Sequence, residues 1–149
     1  MGYFLEAFIC HQDDAQVFSK YYRSAKLVDL KQGLVLVPLG EELLNEITTV
    51  SSDSNIEGFE LLTTDIERQV LNVIDDRPIA YIEAAYHGGD GGQLGLIWAE
   101  SRRVKLLSFG QGRINDVLKY FGVTAGIGLD EFSTLALGKF RSTKEWVNN

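Results

Sequence analysis

Cysteine is nearly missing from this chain. Cys10 stands alone among 149 residues, which excludes an intramolecular disulfide and a cysteine-rich zinc site and makes a reducing, cytoplasmic setting the expected one. Histidine is almost as scarce. His11 and His87 are the only two, so few side chains titrate near neutral pH in unperturbed form. Long apolar runs are absent too: stretches such as Leu34 to Leu39 fall far short of the roughly 20 residues a membrane-spanning helix requires. At the N-terminus no basic region precedes an apolar segment, and Glu6 interrupts what apolar character there is, so Met1 reads as a true start and not as part of a signal.

What the chain does contain is ordinary globular material. With 45% hydrophobic and 23% charged residues it is not a disordered tail. Its length suits a single domain, 1–149, which buries roughly 68–70% of its unfolded surface without staples. The formal charge of −7 is unevenly placed: residues 1–77 hold six Lys and Arg against fourteen Asp and Glu, residues 78–149 eight against seven. An acidic surface repels phosphate backbones and disfavours nucleic-acid binding. It attracts a basic protein partner and speeds the encounter with it. Arg102, Arg103 and Lys105 form the only basic cluster, without the aromatic interleaving of a nucleic-acid groove.

The periodicities predict an α+β fold. Tyr3 to Cys10 reads as a strand, followed by a helix that Asp13 and Asp14 begin and that carries Phe18, Tyr21 and Tyr22 on one stripe. Lys26 to Leu30 and Gly33 to Pro38 read as short strands around a turn. A helix then runs from Gly40 through about Val50, with Leu43, Leu44 and Ile47 inward, and Thr48 to Asn55 is a polar loop. Thr64-Asp65-Ile66-Glu67 has the form of a capping box, and its helix should stop before Pro78. Pro78 to Tyr86 alternates cleanly, and with Gln93 to Glu100 it makes a hairpin. Arg103 to Phe109 reads as a strand and Arg113 to Phe121 as a helix. Val123 to Leu137 reads as loop, and Ser142 to Glu145 caps a last turn. The expected architecture is one mainly antiparallel sheet with helices packed on one face, a ferredoxin-like split βαβ first half, and a glycine-turn hairpin added to it.

Ten of the fifteen glycines lie between Gly88 and Gly128. His87-Gly88-Gly89-Asp90-Gly91-Gly92 can be a backbone nest for an anion, a contact surface for another protein, or a hairpin loop and nothing more. It fits neither the P-loop nor the dinucleotide fingerprint, because no lysine follows and no helix opens there. Phe109-Gly110-Gln111-Gly112-Arg113 has the strand–glycine–helix form that points free amides at an anion beside an arginine. For catalysis, His87 shares a strand face with Glu83 and adjoins Asp90, a pairing suited to general acid–base work. Cys10 and His11 are strand neighbours that point to opposite faces, which argues against a nucleophile pair. No spacing of His and carboxylates signals a metal.

Two stretches carry a resemblance. Tyr86 through Gln93, and Asp130-Glu131-Phe132 followed by Leu137-Gly138-Lys139-Phe140-Arg141-Ser142-Thr143-Lys144-Glu145-Trp146, resemble small bacterial proteins with a glycine hairpin ending in Gln and an L-G-x-x-R-x-T-x-x-W tail. That pattern implies no catalytic residue. In being small, acidic and without a catalytic constellation, the chain is also similar in kind to the immunity proteins that neutralise bacterial toxins.

These features lead to the expectation of a non-catalytic, cytoplasmic protein-binding module, with an inhibitor of the immunity type as its specific form. Its partner surface would be Tyr86, His87, Gly88, Gly89, Asp90, Gly91 and Gly92, with no cofactor, metal, nucleic acid or membrane. The alternative is a protein or enzyme that binds a small anionic ligand, a nucleotide or phosphometabolite, through Gly110, Gly112 and Arg113 with His87 as base. A third option is homo-oligomerisation through an exposed sheet edge.

Overall fold

The computed structural model describes residues 2–49 and 54–149. The elements run β1 (Gly2–His11), α1 (Gln12–Tyr21), β2 (Val28–Asp29), a single 3₁₀ turn at Lys31–Gly33, β3 (Leu34–Pro38), α2 (Glu41–Ile47), α3 (Thr64–Ile74), β4 (Ile79–His87), β5 (Asp90–Ala99), β6 (Arg102–Gly110), α4 (Arg113–Tyr120), α5 (Glu131–Thr134) and α6 (Thr143–Asn148). All six strands join one sheet in the order β2-β3-β1-β4-β5-β6, and every adjacent pair is antiparallel.

Reversed, the first four strands read β4-β1-β3-β2. α1 links β1 to β2 with β3 lying between them, and α2 and α3 link β3 to β4 with β1 lying between them. These are two interleaved split βαβ units, the ferredoxin-like arrangement expected of the first half. The β4–β5 hairpin and β6 continue the sheet beyond β4.

The helices are not confined to one face, and the strand sequences explain why. β1 and β4 are apolar on both sides of their pleat: Phe8 and Tyr81 point one way, Leu5, Ala7, Ile9, Ala80 and Ile82 the other, and all are buried. Strands of that kind must be covered twice. On the first face Phe18 of α1, Leu43 and Ile47 of α2, and Ile66, Val70 and Ile74 of α3 pack over Phe8, Tyr81, Leu96 and Trp98. On the second, Ile114, Val117 and Leu118 of α4, together with Leu135, Leu137 and Trp146 from the tail, pack over Ile9, Leu36, Ile82 and Ile97. Burial of this extent, at about 25 cal/mol per Å² of apolar surface, is the main driving force for the fold.

Several boundaries differ from the periodicity reading. The second helix stops at Ile47, since Thr48 takes extended dihedrals (φ −138°, ψ 138°); Val50 and 51–53 of the expected polar loop lie outside the described residues. The α3 cap is Thr63, whose hydroxyl accepts from the Ile66 amide at 3.1 Å, one residue earlier than the expected box. That shift frees Glu67 to accept from Trp98 Nε1 at 2.6 Å and to pair with both Nε and Nη2 of Arg103 on β6. Lys26–Leu30 contracts to the two residues of β2. Within the expected loop 123–137, Asp130 caps the short helix α5 by accepting from the Ser133 amide at 2.8 Å. Ser142 caps α6 through the Glu145 amide, as its sequence predicts.

The tail from Leu137 onward crosses the end of the sheet where β3 has finished. The Phe4 amide donates to the Arg141 carbonyl at 2.8 Å and the Glu6 amide to Thr143 Oγ1 at 2.9 Å. At the far edge, among the described residues, no strand pairs with β6 beyond β5. It carries two register shifts against β5, the charges Arg102, Arg103 and Lys105, and exposed Val104, Leu106 and Phe109. Bulges and cationic side chains discourage edge-to-edge pairing. Among the described residues no helix is long and apolar enough to cross a membrane.

Candidate functional site

The glycine run is a tight turn and not an open loop. His87 and Asp90 face each other as the last pair of β4 and β5, leaving only Gly88 and Gly89 between them, both at positive φ (62° and 88°). Two consecutive positive φ values define a type I′ turn, which matches the right-handed twist of the flanking strands. Gly91 is held by closeness: a Cβ there would lie 1.9 Å from the Ala85 carbonyl oxygen. At Gly92 a Cβ would meet the Phe109 ring at 2.6 Å. The turn and close packing thus account for the four glycines.

Beside the hairpin, polar side chains join it to the second face. Tyr86 Oη donates to Gln111 Oε1 at 2.6 Å, and Gln111 Nε2 donates to the Gly91 carbonyl at 2.7 Å. Gln93 Oε1 accepts from the Ile114 amide at 2.9 Å, doing for α4 what a capping side chain would do. Tyr86, Gln93, Phe132, Gly138 and Arg141, which come from the hairpin and the tail, line one cavity of about 320 Å³ with Tyr3. The glycine hairpin and the tail, far apart in sequence, therefore meet in space.

Gly110, Gly112 and Arg113 also lie together, at the start of α4. Two of the donors there are already engaged by this chain. Arg113 Nε donates to the Ser108 carbonyl at 2.7 Å, its guanidinium lies against Gly110 and 3.9 Å from Asp116, and the Ile114 amide is held by Gln93. The adjoining pocket includes the Asp130 carboxylate, which opposes an anion.

The titratable candidates do not converge. His87 is exposed at the strand end, whereas Glu83 is buried four residues back and bonded elsewhere. Cys10 is fully buried, and loss of water together with the nearby Asp14 pushes its thiol up to about 12. His11 turns to the other side and meets Phe121 edge-on at 5.2 Å. Among the described residues no group of three or more His, Cys, Asp or Glu is arranged to hold a metal ion.

The polar feature that the periodicity reading missed lies inside the sheet. Glu6 on β1 and Glu83 on β4 are direct cross-strand partners on the first face, a juxtaposition of like charges that is ordinarily destabilising. Glu83 is fully provided for: Oε1 accepts from the Glu60 amide at 2.7 Å, and Oε2 from the Leu61 amide at 2.9 Å and Tyr81 Oη at 2.8 Å. Burial, and then the charge of Glu83, hold the Tyr81 phenol well above its ordinary value, so it serves as a neutral donor. Glu83 thereby fastens the strap carrying Ile56, Phe59 and Leu62 across the sheet. Glu6 is different. Its Oε1 accepts from Thr143 Oγ1 at 2.8 Å, and it stands at the floor of a cleft of about 630 Å³ between α2 and α6. Burial, outweighing the Thr143 bond and aided by the charges of Glu83 and Glu60, raises its carboxyl above the ordinary value.

A signal for this pair was present: each glutamate is the only charge inside an otherwise apolar strand, Tyr3 to Cys10 and Ile79 to Tyr86. Pattern alone does not put them opposite each other, because that requires the register of β1 against β4. Comparison with protein-family models, curated proteins and solved structures returns no match.

Proposed function

We propose that this protein is a non-catalytic binding module of the immunity type, which covers a basic surface of a protein partner instead of transforming a substrate. The observation that supports this best is the cleft over Glu6. Its walls are apolar, its rim carries Glu41 and Glu42, and it is lined by neither histidine nor cysteine. Such a surface supplies burial and negative charge, the two ingredients of a tight, fast-forming complex with a basic partner.

The glycine hairpin belongs to the same surface on this reading. Gly2 pairs with His87 and Phe4 with Ala85, so the hairpin tip and the Phe4 edge of the cleft share one end of the sheet. Tyr86, His87 and Asp90 would then extend the contact beyond the cleft. A lone, buried thiol fits a reducing cytoplasm.

The test is coexpression with the product of an adjacent gene that encodes a basic, toxin-like protein. A stoichiometric complex that weakens as salt rises, with protection of the host cell, is the expected result. Absence of both the complex and the protection would count against the proposal. A thermal-shift screen over nucleotides and phosphometabolites separates the alternative: a ligand at ~100 times its Kd would stabilise the fold by ~2.7 kcal/mol, and no such shift is expected.

A further inference from the structure

We infer that the cleft between α2 and α6 receives one lysine or arginine side chain of the partner, with its charge seated on Glu6 and its aliphatic stem along the cleft wall. The inference rests on the binding reading above and specifies what enters the surface.

The floor is fixed before anything arrives. Thr143 Oγ1 donates to Glu6 Oε1 at 2.8 Å and accepts from the Glu6 amide at 2.9 Å, so one hydroxyl holds both the backbone and the side chain of Glu6. Among the described residues no donor is bonded to its second carboxylate oxygen. A carboxylate in this setting is poorly served as an anion: it is half-buried, and Glu83 lies directly across the strand pair with both oxygens bonded to other donors. A cation entering the cleft supplies the missing counter-charge, and the charged form of Glu6 gains more from it than a fully hydrated carboxylate would.

The walls select the rest of the ligand. Pro38, Leu39, Leu43, Leu44, Leu61 and Val147 offer apolar surface to a methylene stem, the way long cationic side chains cover hydrophobic ground while their heads stay polar. At the mouth, Glu41 and Glu42 outnumber the one cation, Lys144. A metal ion would need more ligands than the single floor carboxylate provides. Charge complementarity and an apolar wall together describe a basic side chain, and the cleft's place at the hairpin end of the sheet makes its source the docked protein.

The experiment uses the intact, ¹⁵N-labelled chain and three probes: Nα-acetyl-lysine methylamide, its arginine counterpart, and its norleucine counterpart, which keeps the stem without the charge. Saturable shifts of the Glu6, Leu43, Leu44 and Thr143 amides with the lysine or arginine probe are expected, with the norleucine probe about tenfold weaker or worse. Glu6→Gln keeps an acceptor for Thr143 and should weaken the lysine probe by about tenfold. Lys144→Gln should tighten it. Leu44→Arg, at a half-buried position on α2, places the chain's own cation in the cleft and should abolish the shifts even where Glu6→Gln disturbs the fold. Equal binding of norleucine, no effect of Leu44→Arg, or shifts located elsewhere would overturn the inference. If the probes fail while the partner complex forms, the binding reading stands and this cleft assignment falls; if they bind and no complex forms, the cleft still takes a basic side chain but the partner as its source falls with the binding reading.

Discussion

The glycine hairpin and the Glu6–Glu83 pair lie in the same part of the sheet and teach opposite lessons. The hairpin is conspicuous in sequence, yet its glycines answer to backbone geometry: Gly88 and Gly89 to the I′ turn, Gly91 to the neighbouring carbonyl, Gly92 to the Phe109 ring. The two glutamates are inconspicuous, single charges in apolar strands, yet the register sets them face to face and gives them different duties. One carboxylate is saturated by three donors and fastens a strap; the other keeps an oxygen toward an open cleft. Compositional oddity marks where a backbone is unusual. Burial of a charge marks where the fold has made an exception.

Removing the buried carboxylate tests that contrast most severely. Glu83→Leu leaves the Glu60 and Leu61 amides and the buried Tyr81 hydroxyl without their acceptor, and should cost about 3–5 kcal/mol in urea denaturation. Faster hydrogen exchange at Glu60 and Leu61 should accompany it, since those amides lose the carboxylate that holds them to the sheet. A loss below about 1 kcal/mol would mean that water replaces the carboxylate and that the strap is not fastened there.

Within the hairpin the effects should be smaller and unequal. Gly91→Ala forces a Cβ onto the Ala85 carbonyl at φ 150°, so β4 and β5 must separate, at about 2–3 kcal/mol. Gly88→Ala meets nothing within 4 Å and carries only the left-handed φ of 62°, a cost of about 1–2 kcal/mol. Equal costs at the two positions would show that turn strain alone governs the glycine run. If Gly88→Ala, folded and stable, also abolished partner binding, the hairpin would be more than geometry.

Much of the fold was legible beforehand because hydrophobic period and turn chemistry are local. The strand, helix, strand, strand, helices, strand order of the first half was already compatible with a split βαβ layer, and Ser142 already marked the start of α6. The second layer was legible in principle too: Ala80, Ile82 and Ala84 are as apolar as Ile79 and Tyr81, and a strand apolar on both sides needs cover on both. What stayed hidden depended on non-local register. The cap falls at Thr63, one residue before the expected box, and Glu67 instead bonds Trp98 and Arg103, from two strands that only the folded sheet brings near. The anion reading at Gly110, Gly112 and Arg113 could not foresee that Gln93, from another strand, caps α4.

The finest test compares Glu6 with Glu67, two carboxylates at the sheet surface whose responses to acid should have opposite signs. For Glu67, burial alone would raise the pKa, but the bonds from Arg103 and Trp98 prevail and hold it below the ordinary 4.5. A lowered pKa means that the unfolded chain binds the proton more readily, so the stability Glu67 confers is complete above its unfolded value and is lost as pH falls through its folded value. For Glu6 burial prevails over the Thr143 bond, and its pKa is raised from 4.5. The folded chain then holds the proton more tightly, and that contribution is complete below the unfolded value and lost as pH rises through the folded one. Urea denaturation of Glu67→Gln should therefore show its largest deficit near neutrality and converge on the wild type in acid. Glu6→Gln should lie nearest the wild type in acid and gain on it as pH rises. Parallel curves for the two variants would mean that Glu6 is as well served as Glu67, and the cleft would lose its reason to seek a cation.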